Sequence, residues 1–297
     1  MSAIMKAQAS LIKSLAETMS PGLADDKVRV AAAFAESAHS YDAVAGLQRQ
    51  VGAKLMAKAA ARLAGNRLSN GYKILDLGSG TGYFSEQFVK QWPIEIISLD
   101  IAHGMLRYAR QHHTLLQQQS FLCADAEKLP VAENSVNMVF SNFVLQWCDD
   151  LESVFQQIKK ILQPGGLFLF SLPVDGTLKE LKSSWQEVDQ YQHVNDFHSF
   201  KSVQAIARNV FSKANKTSLY CEDFLLYYQQ MSELTKELKA LGANQVKASH
   251  HSNNKSKALM GRHSLQKLLA AYDQFRNQQG LLPATYKVAY GLIEVDN

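Results

Sequence analysis

The stretch Ile74-Leu75-Asp76-Leu77-Gly78-Ser79-Gly80-Thr81-Gly82 sets an acid two residues ahead of three alternating glycines, at the point where an apolar run ends. Glycine lets a backbone turn tightly and lets a ligand approach its N–H groups at the start of the next helix. A second acid, Asp100, closes the following apolar run, where a carboxylate can accept hydrogen bonds from ribose hydroxyls. Together they point to a ligand containing adenosine. A dinucleotide fingerprint, GxGxxG, would need its third glycine at position 83, which is Tyr83. A loop that does not cradle a pyrophosphate can dispense with that glycine.

These residues need strands to end on and helices to begin from. Lys73 to Leu77, Ile94 to Leu99, Ser120 to Cys123, Val136 to Ser141 and Leu167 to Leu172 read as strands, and segments opening near Gly82, His103 and Asp149 read as helices. This alternation predicts βαβ units and a doubly wound α/β fold around a mostly parallel sheet. Val28 to Ala64 is Ala-rich with apolar residues at helical spacing, and Gly65 is a plausible stop. After Pro173, helices are expected over Leu178 to Gln190, Lys201 to Phe211, Met231 to Leu241 and His263 to Gln278. Strands are expected over Thr217 to Tyr228 and in the closing ATYKVAYGLIEV. The expected organisation is a flexible extension over 1–27 and a single domain over 28–297. Within it lie a helical cap (28–65), a cofactor core (72–173) and a substrate side (174–297) with lid helices at about 229–278. The polar, basic stretch 244–257 reads as a mobile loop.

The chain has 297 residues, 46% hydrophobic and 20% charged, with a net charge of +4. That composition excludes collagen-like, coiled-coil and wholly disordered chains. No run approaches the roughly 20 apolar residues of a membrane helix, and the first twenty residues lack the apolar core of a secretory signal. Cys123, Cys148 and Cys221 are odd in number and widely spaced, which fits neither disulfides nor zinc, so a reducing cytoplasm is the expected compartment. His112-His113, His193, His198 and His250-His251 have no metal-site spacing, and no metal is expected. A charge of +4 is too small to argue for nucleic acid.

The GxGxG turn with Asp76 at the strand end resembles motif I of the class I S-adenosylmethionine-dependent methyltransferases. Asp125-Ala126 after the third strand, Asn142-Phe143 within SNFVLQW after the fourth, and Leu162-Gln163-Pro164-Gly165-Gly166 before the fifth fall where that superfamily keeps its further motifs. The resemblance implies a seven-stranded sheet and S-adenosylmethionine as cofactor. It places Gly78, Ser79, Gly80 and Gly82 in the cofactor turn, with Asp76 complementing the cofactor's ammonium. Asp100 is implied beside the ribose, Ile101 and Met105 among the cofactor-binding residues, Asp125 and Ala126 at the adenine, and Asn142 and Phe143 beside the methyl donor.

Other segments resemble one narrower family, the malonyl-[acyl-carrier protein] O-methyltransferases of biotin synthesis. They include Ser40-Tyr41-Asp42, Leu47-Gln48-Arg49-Gln50, Trp185, Val188-Asp189, His193, Asn195 and Phe197. The more specific ones are Leu238-Lys239-Ala240-Leu241-Gly242-Ala243-Asn244, Arg262 and Leu282-Pro283-Ala284-Thr285-Tyr286. The resemblance runs from about Val28 to Ile293. It implies methyl transfer to the free carboxylate of malonyl-acyl-carrier protein, or of malonyl-CoA. A carboxylate of pKa near about 4 is already ionised at neutral pH, so no general base is expected. A buried carboxylate wants a guanidinium and a hydroxyl, and Tyr41 and Arg262 are the candidates, with Lys239 and Arg49 second.

Lys54, Lys58 and Arg62 recur at four-residue spacing on the helix before Gly65, a stripe that could dock an acidic carrier protein. The alternatives are a quinone or phenol methyltransferase with a base or metal, a nicotinamide oxidoreductase, and a binding module without turnover.

Overall fold

A computed structural model of the chain describes residues 25–63, 71–113, 119–214, 216–243 and 261–296. The elements in chain order are α1 (Asp25–Val44), α2 (Gly46–Leu63), β1 (Lys73–Leu77), α3 (Tyr83–Gln91), β2 (Glu95–Asp100), α4 (His103–His112), β3 (Gln119–Cys123), β4 (Val136–Asn142), α5 (Leu151–Ile161), β5 (Leu162–Pro173), α6 (Lys179–Gln186), α7 (Phe200–Val210), β6 (Lys216–Tyr228), α8 (Met231–Ala240), α9 (Arg262–Asp273) and β7 (Leu282–Glu294). The strands form one seven-stranded sheet in the order β3-β2-β1-β4-β5-β7-β6. β1 to β5 run parallel, while β7 is antiparallel to both β5 and β6. The doubly wound α/β expectation is met.

Side-chain alternation along the strands builds two cores, one on each face. Ile74, Met138, Phe140 and Leu169 pack with Val51 and Leu55 of α2, Phe88 of α3 and Tyr272 of α9. Leu75, Leu77, Val139 and Phe168 pack with Val154, Phe155 and Ile158 of α5 and Val203 of α7. Adjacent residues of one strand thus serve opposite layers. Asp150 and Ser199 cap α5 and α7 by accepting the Ser153 and Ser202 backbone N–H groups at 2.9 and 3.1 Å.

The helical stretch expected from Val28 starts earlier and is bent. α1 opens at Asp25, so residues 25–27 belong to the fold rather than to an extension. The chain turns at Ala45, whose N–H still bonds the Tyr41 carbonyl at 2.9 Å, and Gly46 begins a second helix. Residues 1–24, Gly65 and the loop 244–257 lie outside the described residues. α8 and α9 stand between β6 and β7, inside the stretch expected to carry the lid. No described helix is long and apolar enough to cross a membrane.

The LPATY segment, residues 282–286, acts as a clamp. Thr285 gives its backbone N–H at 3.1 Å and its hydroxyl to the buried carboxylate of Glu180 at the start of α6. The carbonyl of Pro283 accepts the Tyr272 hydroxyl of α9 at 2.8 Å. β7 therefore holds two of the helices that wall the substrate side.

Candidate active site

Asp76, Gly78 and Asp100 meet at the carboxyl ends of β1 and β2, where α/β sheets bind their ligands. Gly78 and Gly80 have φ of +71° and +54°, values only glycine adopts without strain. The turn is fastened to β2: Gly78 and Ser79 give their N–H groups to the Leu99 carbonyl at 2.7 and 2.9 Å. Asp100 accepts the Gly80 N–H at 2.8 Å and the Ala102 N–H at 2.7 Å. It thus shapes the turn as well as walling the cavity beside it, with Ile101, Met105, Asp125, Ala126, Asn142 and Phe143.

Asp76 is buried and accepts the Ser85 hydroxyl at 2.6 Å. Burial, with a smaller push from Asp100, raises its carboxyl to about 7. The Phe143 backbone has φ of +58°, strained for a non-glycine residue, where the walls of two cavities meet. Asn142 is held by its amide donation to the Gln48 carbonyl at 3.0 Å and by the Ser171 hydroxyl at 2.7 Å.

Tyr41 lies where three cavities adjoin. The first is the one walled by Asp100, Asp125 and Phe143, and the second lies behind the glycine turn with Asp42, Arg49, Asp76 and Ser79. The third, of about 580 Å³, is reached past Phe34, Phe143 and Trp147. Burial and the neighbouring Asp100 and Asp42 carboxylates push the Tyr41 phenol up, so it keeps its proton at neutral pH and can donate. The large cavity is mainly apolar, and among the described residues no Lys, Arg, Asp or Glu lines it. His193, one of its lining residues, stacks on Trp185 with ring centroids 3.5 Å apart and bonds Asp189 through Nε2 at 2.9 Å.

Of the four residues proposed for the substrate carboxylate, only Tyr41 reaches the large cavity. Arg262 and Lys239 are exposed on α9 and α8 and form no part of its wall. Arg49 goes instead to the glycine turn, bonding the Asp42 carbonyl with its guanidinium 5.8 Å from the Tyr83 ring. Spacing along a helix could not tell which arginine turns inward. Within the basic stripe, Lys54 and Arg62 pair with Glu222 of β6 and Glu294 of β7, and Lys58 lies over the Tyr220 ring. Those acids are more than 150 residues away in sequence and were invisible from the helix alone.

Lys27 was missed, having been assigned to the extension. It is buried and bridges Asp125 and Glu127, each at 2.7 Å. Burial opposes its charge, but the two carboxylates outweigh that and hold its ammonium above the usual lysine range. Asp42 was also missed as a site residue; it accepts the Thr81 hydroxyl at 2.9 Å and so ties α1 to the turn.

The walls are fit for a polar ligand with an apolar neighbour. Ser79 Oγ, Gln48 Oε1 and Gln146 Oε1 are buried and have no hydrogen-bond partner within the described protein. A Cβ on Gly78 would stand 2.1 Å from a Val144 methyl carbon, and its backbone φ of +71° also favours glycine there. Among the described residues no three His, Cys, Asp or Glu side chains gather as a metal site.

Residues 75–170 match the family described as a methyltransferase domain. A malonyl-[acyl-carrier protein] O-methyltransferase of Methylococcus capsulatus is 36% identical over 91% of this chain and 94% of its own. This chain belongs to the malonyl-[acyl-carrier protein] O-methyltransferase family. It is an S-adenosylmethionine-dependent methyltransferase of the class I fold. The biotin biosynthesis bifunctional protein BioHC of Cellvibrio japonicus is 40% identical over 95% of this methyltransferase, which spans 52% of that longer protein. Among solved structures, YcgJ of Bacillus subtilis superposes with a TM-score of 0.53 at 16% identity, covering 80% of this chain and 97% of its own. A putative methyltransferase of Bacillus halodurans gives 0.53 at 13% identity, covering 83% and 99%. Both share the fold.

Proposed function

We propose that this methyltransferase esterifies the free carboxylate of a malonyl thioester carried by an acyl-carrier protein, a step of biotin synthesis. The observation that carries the reading is the character of the large cavity: mainly apolar, lined among the described residues by no Lys, Arg, Asp or Glu, and sharing Tyr41 with the smaller cavity beside the glycine turn.

When bound, S-adenosylmethionine supplies a methyl group on a sulfonium. A carboxylate oxygen forms the new O–CH3 bond as the S–CH3 bond breaks, so a negative and a positive charge disappear together. An apolar enclosure favours such a step, because water would stabilise the separated charges more than the transition state. No proton moves, and no base is needed. Tyr41, which lines this cavity and keeps its proton, would donate one hydrogen bond to the carboxylate and align it. His193 would be the base of a phenol methyltransferase, but it lines only the large cavity and not the cofactor site.

On the cofactor side, Asp76 is assigned to the ammonium, Asp100 to the ribose and Asp125 with Ala126 to the adenine. Arg49, beside Ser79 and Gly80, is suited to the cofactor's carboxylate rather than the substrate's. The raised carboxyl of Asp76 makes a pH test possible. Because its folded value of about 7 lies above the ordinary 3.8, ligand-free protein loses this group's stabilising contribution as pH rises from about 4 through about 7. The ionised form binds an ammonium, so cofactor affinity should rise about ten-fold from pH 6 to pH 8, with Asp76→Asn weak and flat. Calorimetric titration with S-adenosylhomocysteine at four pH values would read this; a flat parent profile would remove Asp76 from the ammonium site.

The substrate is tested by mass spectrometry of malonyl-acyl-carrier protein and acetyl-acyl-carrier protein after incubation with S-adenosylmethionine. A gain of one methyl on the malonyl form alone is expected. Tyr41→Phe should slow that gain about ten-fold or more, since one aligned hydrogen bond is lost, while cofactor affinity changes little. Methylation of neither carrier form would overturn the substrate assignment.

A further inference from the structure

We propose that the carrier protein docks on the rim formed by α8 and α9, with Lys236, Lys239 and Arg262 receiving its acidic face and Leu265 and Leu269 making the apolar contact. The proposal rests on the carrier-borne substrate of the preceding section. The cavity has a definable mouth: of the residues that line it, only Ser232 and Thr235 on α8 and Leu265 and Leu269 on α9 are exposed. A thioester arm enters between these two helices.

The cations follow from helix geometry. Ser232, Thr235, Lys236 and Lys239 fall at i, i+3, i+4 and i+7, one face of α8; Arg262, Leu265 and Leu269 fall at i, i+3 and i+7, one face of α9. The three cations therefore share the faces that carry the mouth, and all three are exposed with no acidic partner among the described residues.

The acids on these helices are engaged elsewhere. The Glu233 carboxylate accepts the Gln229 N–H at 2.8 Å, Glu237 is half-buried near Tyr228, and Asp273 pairs with Arg276 at 2.8 Å. Leu265 and Leu269 are 40% and 42% exposed, an apolar edge beside the charges. On α2, by contrast, Glu222 and Glu294 already neutralise Lys54 and Arg62. Unpaired cations around an entrance steer an acidic protein toward it and make the encounter salt-sensitive.

The test is the triple reversal Lys236→Glu/Lys239→Glu/Arg262→Glu, assayed against malonyl-acyl-carrier protein and against a small malonyl thioester lacking the carrier. Carrier binding is also measured directly by calorimetry. The expected result is a KM for the carrier substrate raised about ten-fold or more at low salt, a flattened salt dependence, and unchanged kinetics with the small thioester. Lys54→Gln/Lys58→Gln should leave the carrier KM unchanged. An unaltered carrier KM in the triple variant overturns the proposal, and so does an equal loss with the small thioester, which would make the rim part of the cavity. If the parent protein methylates neither thioester, the substrate reading falls. Binding then decides the surface alone: carrier affinity lost in the triple variant supports the dock, and no carrier affinity in the parent overturns it.

Discussion

Alanine at position 78 is expected to lower S-adenosylmethionine affinity by about 10- to 100-fold while the protein stays folded. Two effects act on the same atom. The backbone there is left-handed at φ +71°, which costs a Cβ-bearing residue about 1–2 kcal/mol. The new Cβ would also stand 2.1 and 2.6 Å from the two Val144 methyl carbons, and Val144 itself walls the cofactor cavity. Relief requires either the turn to move, which displaces the Gly78 and Ser79 N–H groups from the Leu99 carbonyl, or Val144 to move, which reshapes the cavity wall. Titration with S-adenosylhomocysteine, beside a circular dichroism spectrum to confirm folding, reads the effect. Parental affinity in a folded Gly78→Ala protein would mean that the turn does not cradle the cofactor.

Glu180→Ala should cost about 2–4 kcal/mol of stability and several degrees in Tm. Glu180 and Thr285 are each 4% exposed, so the truncation leaves the Thr285 N–H and hydroxyl without water or partner. The damage should also reach function. α6 carries Leu181 and Trp185 on the wall of the large cavity, and loosening its start from β7 should raise KM for the thioester while cofactor affinity holds. Glu180→Ala/Thr285→Val should recover part of the lost stability, because the orphaned hydroxyl goes with its partner. Additive losses in the double variant, measured by thermal unfolding, would show that the two side chains are not energetically coupled.

The cofactor half of the site was legible because its chemistry is local. Asp76, Gly78 and Gly80 are neighbours in one strand–turn–helix unit, and β1 runs over the expected residues Lys73–Leu77. Alternating apolar periods likewise placed the parallel strands within a residue or two at most ends. β5 departs from this: it extends from Leu162 rather than Leu167, because Val136 pairs with Leu162 across an irregular register that takes in the Pro164-Gly165 turn. A proline and two glycines read as a break along the chain, yet the neighbouring strand and the carbonyl of Asp296, which accepts the Gly165 N–H at 2.9 Å, hold the segment at the sheet.

The sequence by itself determined the fold class, the adenosine-type cofactor turn and, through family resemblance, the methyltransferase family. Those depend on residue types at short, fixed spacings. Only the tertiary structure decided the destination of each cation. Lys54, Arg62, Arg49, Arg262, Lys239 and Lys27 are alike as lysines and arginines in helical segments, but Glu222, Glu294, Asp125 and Glu127 claim some of them from distant strands and loops. Whether a cation is buried, paired or left open at a cavity mouth depends on which acids the sheet brings within about 4 Å, a distance over which pairing operates and which spacing along a helix does not encode.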